Sequence, residues 1–369
     1  MNNNYLQTLF ATSRYWLGFL VLCGCQATFG PQALENTHPA YNQAIVNSLG
    51  QQMLLNLVRL KYRDSPYFLE VGSVTASLSL GASVGLDTKV DLGPGSDLLQ
   101  PNAGVTYSQS PTISYTPLQG EDFLKSVLSP ISLEALLVMT QSGWSIERVF
   151  GLTIERLNQL PNAPGASGPT PAHAPKYKNF KRVLWLLRRL QVDDLIQIGL
   201  DEKTKHLVIL FESDPAHQPL IDELRSLLGV THSEQPNRFE ITSNFLKAQE
   251  HQWDVRVRSI AGVLFYLSQN VSIPEEHVNA GLVTVTKTQE GKPFNWGETP
   301  AGSLFQVQSS KARPTKAFIA VPYRGAWFYI ADDDLQSKSS FMLLQELFSL
   351  QAGQIQRVGP TLTLPVRGK

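Results

Sequence analysis

Cysteine is almost absent from this sequence: 369 residues hold two, Cys23 and Cys25. A chain cut between Gly24 and Cys25 keeps one thiol and can form no internal disulfide. Cysteine-rich zinc sites and cysteine-based catalysis are thereby excluded. Charge is scarce and balanced, with 31 Lys+Arg against 31 Asp+Glu and 17% charged residues overall. About a quarter is usual for a soluble domain, and a neutral chain has no bulk field to gather nucleic acid or acidic substrates. Lys176, Lys178, Lys181 and Arg182 cluster locally and read as a solvated helix face. No HExxH, GxSxG, P-loop or GxGxxG motif occurs, and Gly81-Ala-Ser-Val-Gly85 fails the nucleophile-elbow pattern. The seven histidines (His38, His173, His206, His217, His232, His251 and His277) never pair at metal-ligand spacing. Glu275-Glu276-His277 follows Pro274 and reads as a helix start, and Asp332-Asp333-Asp334, which lacks the EF-hand spacing, reads as a cap. No internal repeat is visible. No catalytic residue, cofactor site or metal site is expected, and the chain reads as a non-enzyme.

What is present begins at the N-terminus. Residues 1–14 carry Arg14 and no acid, and Tyr15 to Leu22 are apolar apart from Gly18. This run is too short for a bilayer, which takes about 20 residues, and it suits a secretory signal. Leu22-Cys23-Gly24-Cys25 resembles a lipobox. That resemblance implies cleavage before Cys25, a thioether from its thiol to diacylglycerol, and acylation of the new N-terminus. Two or three chains anchor stably, whereas one binds marginally. Gln26, in place of the Asp that retains lipoproteins at the inner membrane, implies the outer membrane, facing the periplasm.

The remaining chain divides by pattern into a tether at 25–40, a helix/hairpin/helix domain at 41–160, a Pro/Gly-rich linker or exposed loop at 161–176, and an α+β domain at 177–369. A helix is expected over 41–63, with Ile45, Leu49, Met53, Leu57 and Leu60 as its stripe, stopped by Pro66. From Val74 to Leu86 apolar and small polar residues alternate without a break, and Val105 to Thr116 alternates again. The pair predicts a long β-hairpin with one apolar face and one face of small hydroxyls, and Pro111 requires a bulge or an edge. Two readings stand: an amphipathic sheet packed on a core, or a hairpin made to assemble, since no long charged side chain guards it before Asp87 and Lys89. Strands of about 9 to 11 residues cross an outer membrane, and several hairpins in a ring can close a barrel where one cannot.

Helices are then expected over 119–127, from Ser129-Pro130 to Gln141, and from Ser145 through Ile154 and Leu157. The second half predicts helices at 180–190, 219–228, 255–269 and 341–350. Strands are predicted at 195–200, 206–211, 238–242, 305–309, 318–321, 323–330 and 361–364. The class is α+β: an N-terminal helix, a long hairpin and helices, then a domain with a mostly antiparallel sheet.

Several runs carry a family resemblance: 54–71 (LLNLVRLKYRDSPYFLEV), 111–120 (PTISYTPLQG), 128–134 (LSPISLE), 141–148 (QSGWSIER), 343–351 (LLQELFSLQ) and 362–365 (LTLP). Through them the chain resembles a family of proteobacterial outer-membrane lipoproteins without assigned catalysis. It also looks like an accessory lipoprotein of the outer-membrane complex of Dot/Icm (type IVB) secretion systems. The resemblance implies a structural or assembly component, with the membrane reached through Cys25 and other envelope proteins as partners in an oligomeric complex. Two alternatives stay open. One is a periplasmic glycan-binding module using Trp296, Trp327 and Tyr329, and the other is a hydrolase with dispersed carboxylates.

Overall fold

The computed structural model describes residues 31–88, 99–201, 206–230, 237–243, 252–352 and 362–365. It describes their side chains except at 31–38, 40, 72–88, 99–112 and 362–365. The lipobox and Cys25, the tip of the hairpin, His232 and His251 lie outside the described residues. The chain divides into two compact units, Met1–Leu49 and Gly50–Lys369.

The fold is α+β. In chain order the elements are α1 (Pro31–Lys61), β1 (Phe68–Thr88), β2 (Leu99–Leu118), α2 (Glu121–Leu128), α3 (Leu133–Gln141), α4 (Ile146–Thr153), β3 (Ile154–Leu157), β4 (Leu160–Pro161), α5 (Lys178–Val192), β5 (Ile196–Leu200), β6 (Leu207–Phe211), α6 (Gln218–Leu228), β7 (Arg238–Thr242), β8 (Gln252–Val257), α7 (Ile260–Ser268), α8 (Glu275–Asn279), α9 (Pro300–Leu304), β9 (Gln308–Ser310), β10 (Ala317–Tyr323), β11 (Ala326–Ala331), α10 (Leu335–Ala352) and β12 (Leu362–Pro365). The strands form three open sheets, ordered β1-β2-β12, β10-β11-β9 and β4-β3-β8-β7-β6-β5. Every described strand pair is antiparallel except β7 with β8.

Local chemistry sets the boundaries. Ser132 accepts from the Ala135 amide and Ser145 from the Arg148 amide, so α3 starts at the second serine of its Ser129-Pro-Ile-Ser132 run rather than at Pro130. Pro130 instead bridges to Ser259. α1 starts at Pro31, inside the stretch read as tether; proline suits a first helical turn, where its missing N–H costs nothing. The apolar run 255–269 is not one helix. Trp253, Val255 and Val257 are buried on alternate positions of β8, and Ser259 then caps α7 by accepting from the Gly262 amide. Ile154 and Leu157, taken for helix by their spacing, lie in β3. Arg324 and Gly325 both have positive φ and form the turn that joins β10 to β11.

The segment 161–176, read from composition as a linker, packs inside the second unit. Asn162, Ala163 and Ala166 are fully buried. The cause is distant in sequence. Arg258, at the end of β8, donates to the carbonyls of Ile154 (2.7 Å) and Asn162 and to Ser167 Oγ (3.0 Å), and it stacks 4.1 Å over the Tyr266 ring. Tyr266 donates to Asn162 Oδ1 at 2.9 Å, and Asn162 Nδ2 donates to the carbonyls of Gly151 and Ile154. Burial pulls the Arg258 pKa down to about 10, so it stays a cation at neutral pH. The six-stranded sheet also joins β3 and β4, before this segment, to β8, after it. Residues 41–160 and 177–369 therefore share a sheet rather than forming separate domains.

Candidate functional site

The feature that stands furthest from ordinary packing is the β1–β2 ribbon. β2 is 20 residues long. At about 3.4 Å per residue it extends roughly 65 Å, several times the usual strand of about 5 to 6 residues. Register unites the two alternations read from the sequence. Thr75, Ser77 and Ser79 stand opposite Thr112, Ser110 and Ser108, while Val74, Leu80 and Ala82 stand opposite Ile113, Tyr107 and Val105. The one irregularity falls between Val71 and Ser73. β12 covers the outer side of β2 from Thr112 to Tyr115, and Pro111, opposite Ala76 of β1, lies just beyond it, where β2 has become an edge.

The root of the ribbon is held by side chains. Gln52 and Asn56 sit one turn apart on α1. Gln52 donates to the Leu69 carbonyl (2.9 Å) and accepts from its amide (2.8 Å). Asn56 does the same to Tyr67 (2.8 and 3.0 Å). Each carboxamide thus replaces one residue of a neighbouring strand and satisfies backbone groups on the side of β1 away from β2. Phe68 is buried between Phe348 (centroids 4.7 Å apart) and Phe123 (6.1 Å), so the root is pinned to α10 and α2. Trp144 Nε1 donates to Glu346 at 3.0 Å, buried Arg148 donates to the Gln336 carbonyl at 2.8 Å, and Ser126 and Gln351 exchange bonds of 2.6 and 3.0 Å. Past Leu69, no strand among the described residues pairs with the outer edge of β1. Of the runs that carry the resemblance, 54–71, 111–120 and 343–351 meet at this root, 362–365 pairs with β2 beside it, and 141–148 bonds to α10.

The residues screened for chemistry are mostly engaged with neighbours. His217 lies 2.9 Å from Asp193 and closer still to Asp214. The Asp214 bond holds the imidazole pKa above its usual value, and the imidazole in turn depresses that of Asp214. His206 is 3.1 Å from Glu240 and His277 2.6 Å from the Tyr62 hydroxyl, while His173 is exposed and His38 lies in α1. Asp64 accepts from Tyr323 and from Arg324 (2.9 Å), which lowers its pKa. Asp334 accepts from the Ser337 amide at 3.0 Å and caps α10, as its position implied, and Asp332 pairs with Lys338 at 2.8 Å. Arg182 forms a two-point pair with Glu223 and stacks 4.3 Å from the Trp185 ring. No group of three His, Cys, Asp or Glu suited to a metal occurs among the described residues. Trp296, offered as a sugar-stacking residue, is only 8% exposed and packs edge-on against Phe294. Trp327 is half-buried, with Arg313 5.4 Å from its ring.

Sequence reasoning missed Gln52, Asn56 and Arg258, because a polar residue on a helix or strand carries no mark of a distant backbone partner. Lys61, a cation in the last turn of α1, is also buried by the structure.

Comparison with protein-family models, with curated proteins and with solved structures finds no match to this chain.

Proposed function

We propose that this chain is a non-catalytic, lipid-anchored envelope protein that acts as a structural component of an outer-membrane complex. The observation that carries this reading is the β1–β2 ribbon: clamped by carboxamides at its root and without a strand partner along the outer edge of β1 beyond it, among the described residues. A long strand edge offers a row of N–H and C=O groups to another chain, and between Glu70 and Asp87 its sequence carries no charged residue to deter pairing. The lipobox-like Leu22-Cys23-Gly24-Cys25 would tether the chain to a membrane. The resemblance of the chain to accessory lipoproteins of Dot/Icm (type IVB) systems names the complex to look for first.

The test is crosslinking in intact cells, followed by purification in mild detergent and identification of what accompanies the protein. Co-purification of envelope proteins with wild type, lost when 76–110 is replaced by a short turn, is the expected result. A monomer that crosslinks to no envelope protein would end the proposal.

A further inference from the structure

Beyond its root the ribbon has two edges that no third strand covers among the described residues. On β1 the clamp of Gln52 and Asn56 ends at Leu69. On β2 the cover of β12 ends at Thr112, which stands opposite Thr75. Farther out, 77–85 of β1 pairs with 102–110 of β2, nine residues each. Pro101 and Pro111, which lack an N–H, bracket this stretch of β2. A two-stranded ribbon alone is marginal in water, and each of its edges holds unpaired N–H and C=O groups. Sequence adds a polarity. Register places Leu78, Leu80 and Val84 opposite Gln109, Tyr107 and Ala103, and the alternate positions of both segments are Ser, Thr, Gly or Asn throughout. Neither segment holds a charge, and Asp87 and Lys89 follow just past the first of them.

We propose that this stretch crosses lipid as part of a β-barrel closed by further copies of this chain, the β2 edge of each copy pairing with the β1 edge of the next. The inference rests on the membrane location in the reading above, and it names the chain itself as the partner at these edges. Head-to-tail pairing keeps every neighbour antiparallel, uses both edges of every copy and sets all roots on one side. A two-fold pairing of β1 with β1 leaves the β2 edge bare. Nine residues fit the roughly 9 to 11 of a tilted membrane strand. A closed barrel is the one kind of sheet whose backbone is satisfied in lipid. The apolar row faces the lipid, and the row of hydroxyls and glycines faces a water-filled lumen. The smallest such barrels have about eight strands, so about four copies or more close one.

The test uses the full-length protein alone, purified in mild detergent and added to planar bilayers of phosphatidylethanolamine and phosphatidylglycerol. Its mass in detergent should be that of about four or more copies, and it should open steady ion conductance. Leu80→Arg, in the apolar row, should cut insertion events about tenfold or more. Ser79→Arg, in the other row, should still conduct and should shift the reversal potential in a KCl gradient toward anions. Both variants should keep the thermal transition of the wild-type body, which separates a failure to insert from a failure to fold. A monomer, an oligomer without conductance, equal effects of the two substitutions, or an unshifted reversal potential would each overturn the proposal. Envelope proteins recovered from cells by a chain that is monomeric alone would overturn it and leave the assembly reading standing. Conductance by the pure protein, with no other envelope protein recovered from cells, would support it against that reading.

Discussion

Lys61 and Arg258 are both buried cations, and their surroundings treat them differently. Arg258 has carbonyls, a hydroxyl and an aromatic face around a planar head. Lys61 has two long contacts to one residue. Its pKa of about 8 when folded lies below the usual 10.5, so the unfolded chain holds a proton that the folded chain releases. Stability should therefore rise with pH between about 8 and about 10.5, and at neutral pH burial of the charge costs up to about 3 kcal/mol. Lys61→Met is expected to raise the unfolding free energy from urea titration at pH 7 by about 1–3 kcal/mol, with the gain shrinking toward pH 10. A destabilised variant would mean that Lys61 serves as a helix cap. His217 has the opposite sign. Its raised pKa adds stability that is complete below the unfolded value near 6.5 and lost as pH rises through the folded one. Asp214, depressed, adds stability present above its unfolded value and lost as pH falls. The urea-midpoint gap between wild type and His217→Gln should be widest near pH 5 to 6 and close at alkaline pH.

Elements were legible where one periodicity ran unbroken. The 74–86 alternation predicts β1 because no residue interrupts the period of two, and register then pairs hydroxyl with hydroxyl as the faces require. Legibility failed where apolar content continued across a change of period, as at 255–269. It also failed where a proline-rich composition concealed a partner nearly a hundred residues away, as at 161–176. The anchors of these elements are side-chain bonds to backbone, which leave no periodic trace. Asn56→Leu should cost about 1–3 kcal/mol, because it strands the amide and carbonyl of Tyr67. Arg258→Met should cost a few kcal/mol in urea unfolding and open 161–176 to subtilisin, whereas wild type should resist cleavage there; fragment masses after limited digestion would report the difference.

For the whole molecule, the α+β class followed from element order, but the division into domains did not, because sheet membership is invisible in a linear pattern. β3 and β8 hydrogen-bond across the supposed boundary. Residues 41–160 and 177–369 expressed apart should each lack the cooperative unfolding transition of the intact chain, as seen by thermal denaturation. Cys25→Ser should move the protein from the outer-membrane fraction to the soluble periplasm on cell fractionation, since the lipid chains supply the proposed anchorage. The edge of β2 beside the root is covered by β12, a strand synthesised roughly 250 residues later. A chain emerging from its N-terminus thus adds this strand to the ribbon long after the hairpin itself has been made. Until then both sides of that hairpin stand open to other chains, so the window for mispairing, or for pairing with a partner that should come first, is written into the order of synthesis.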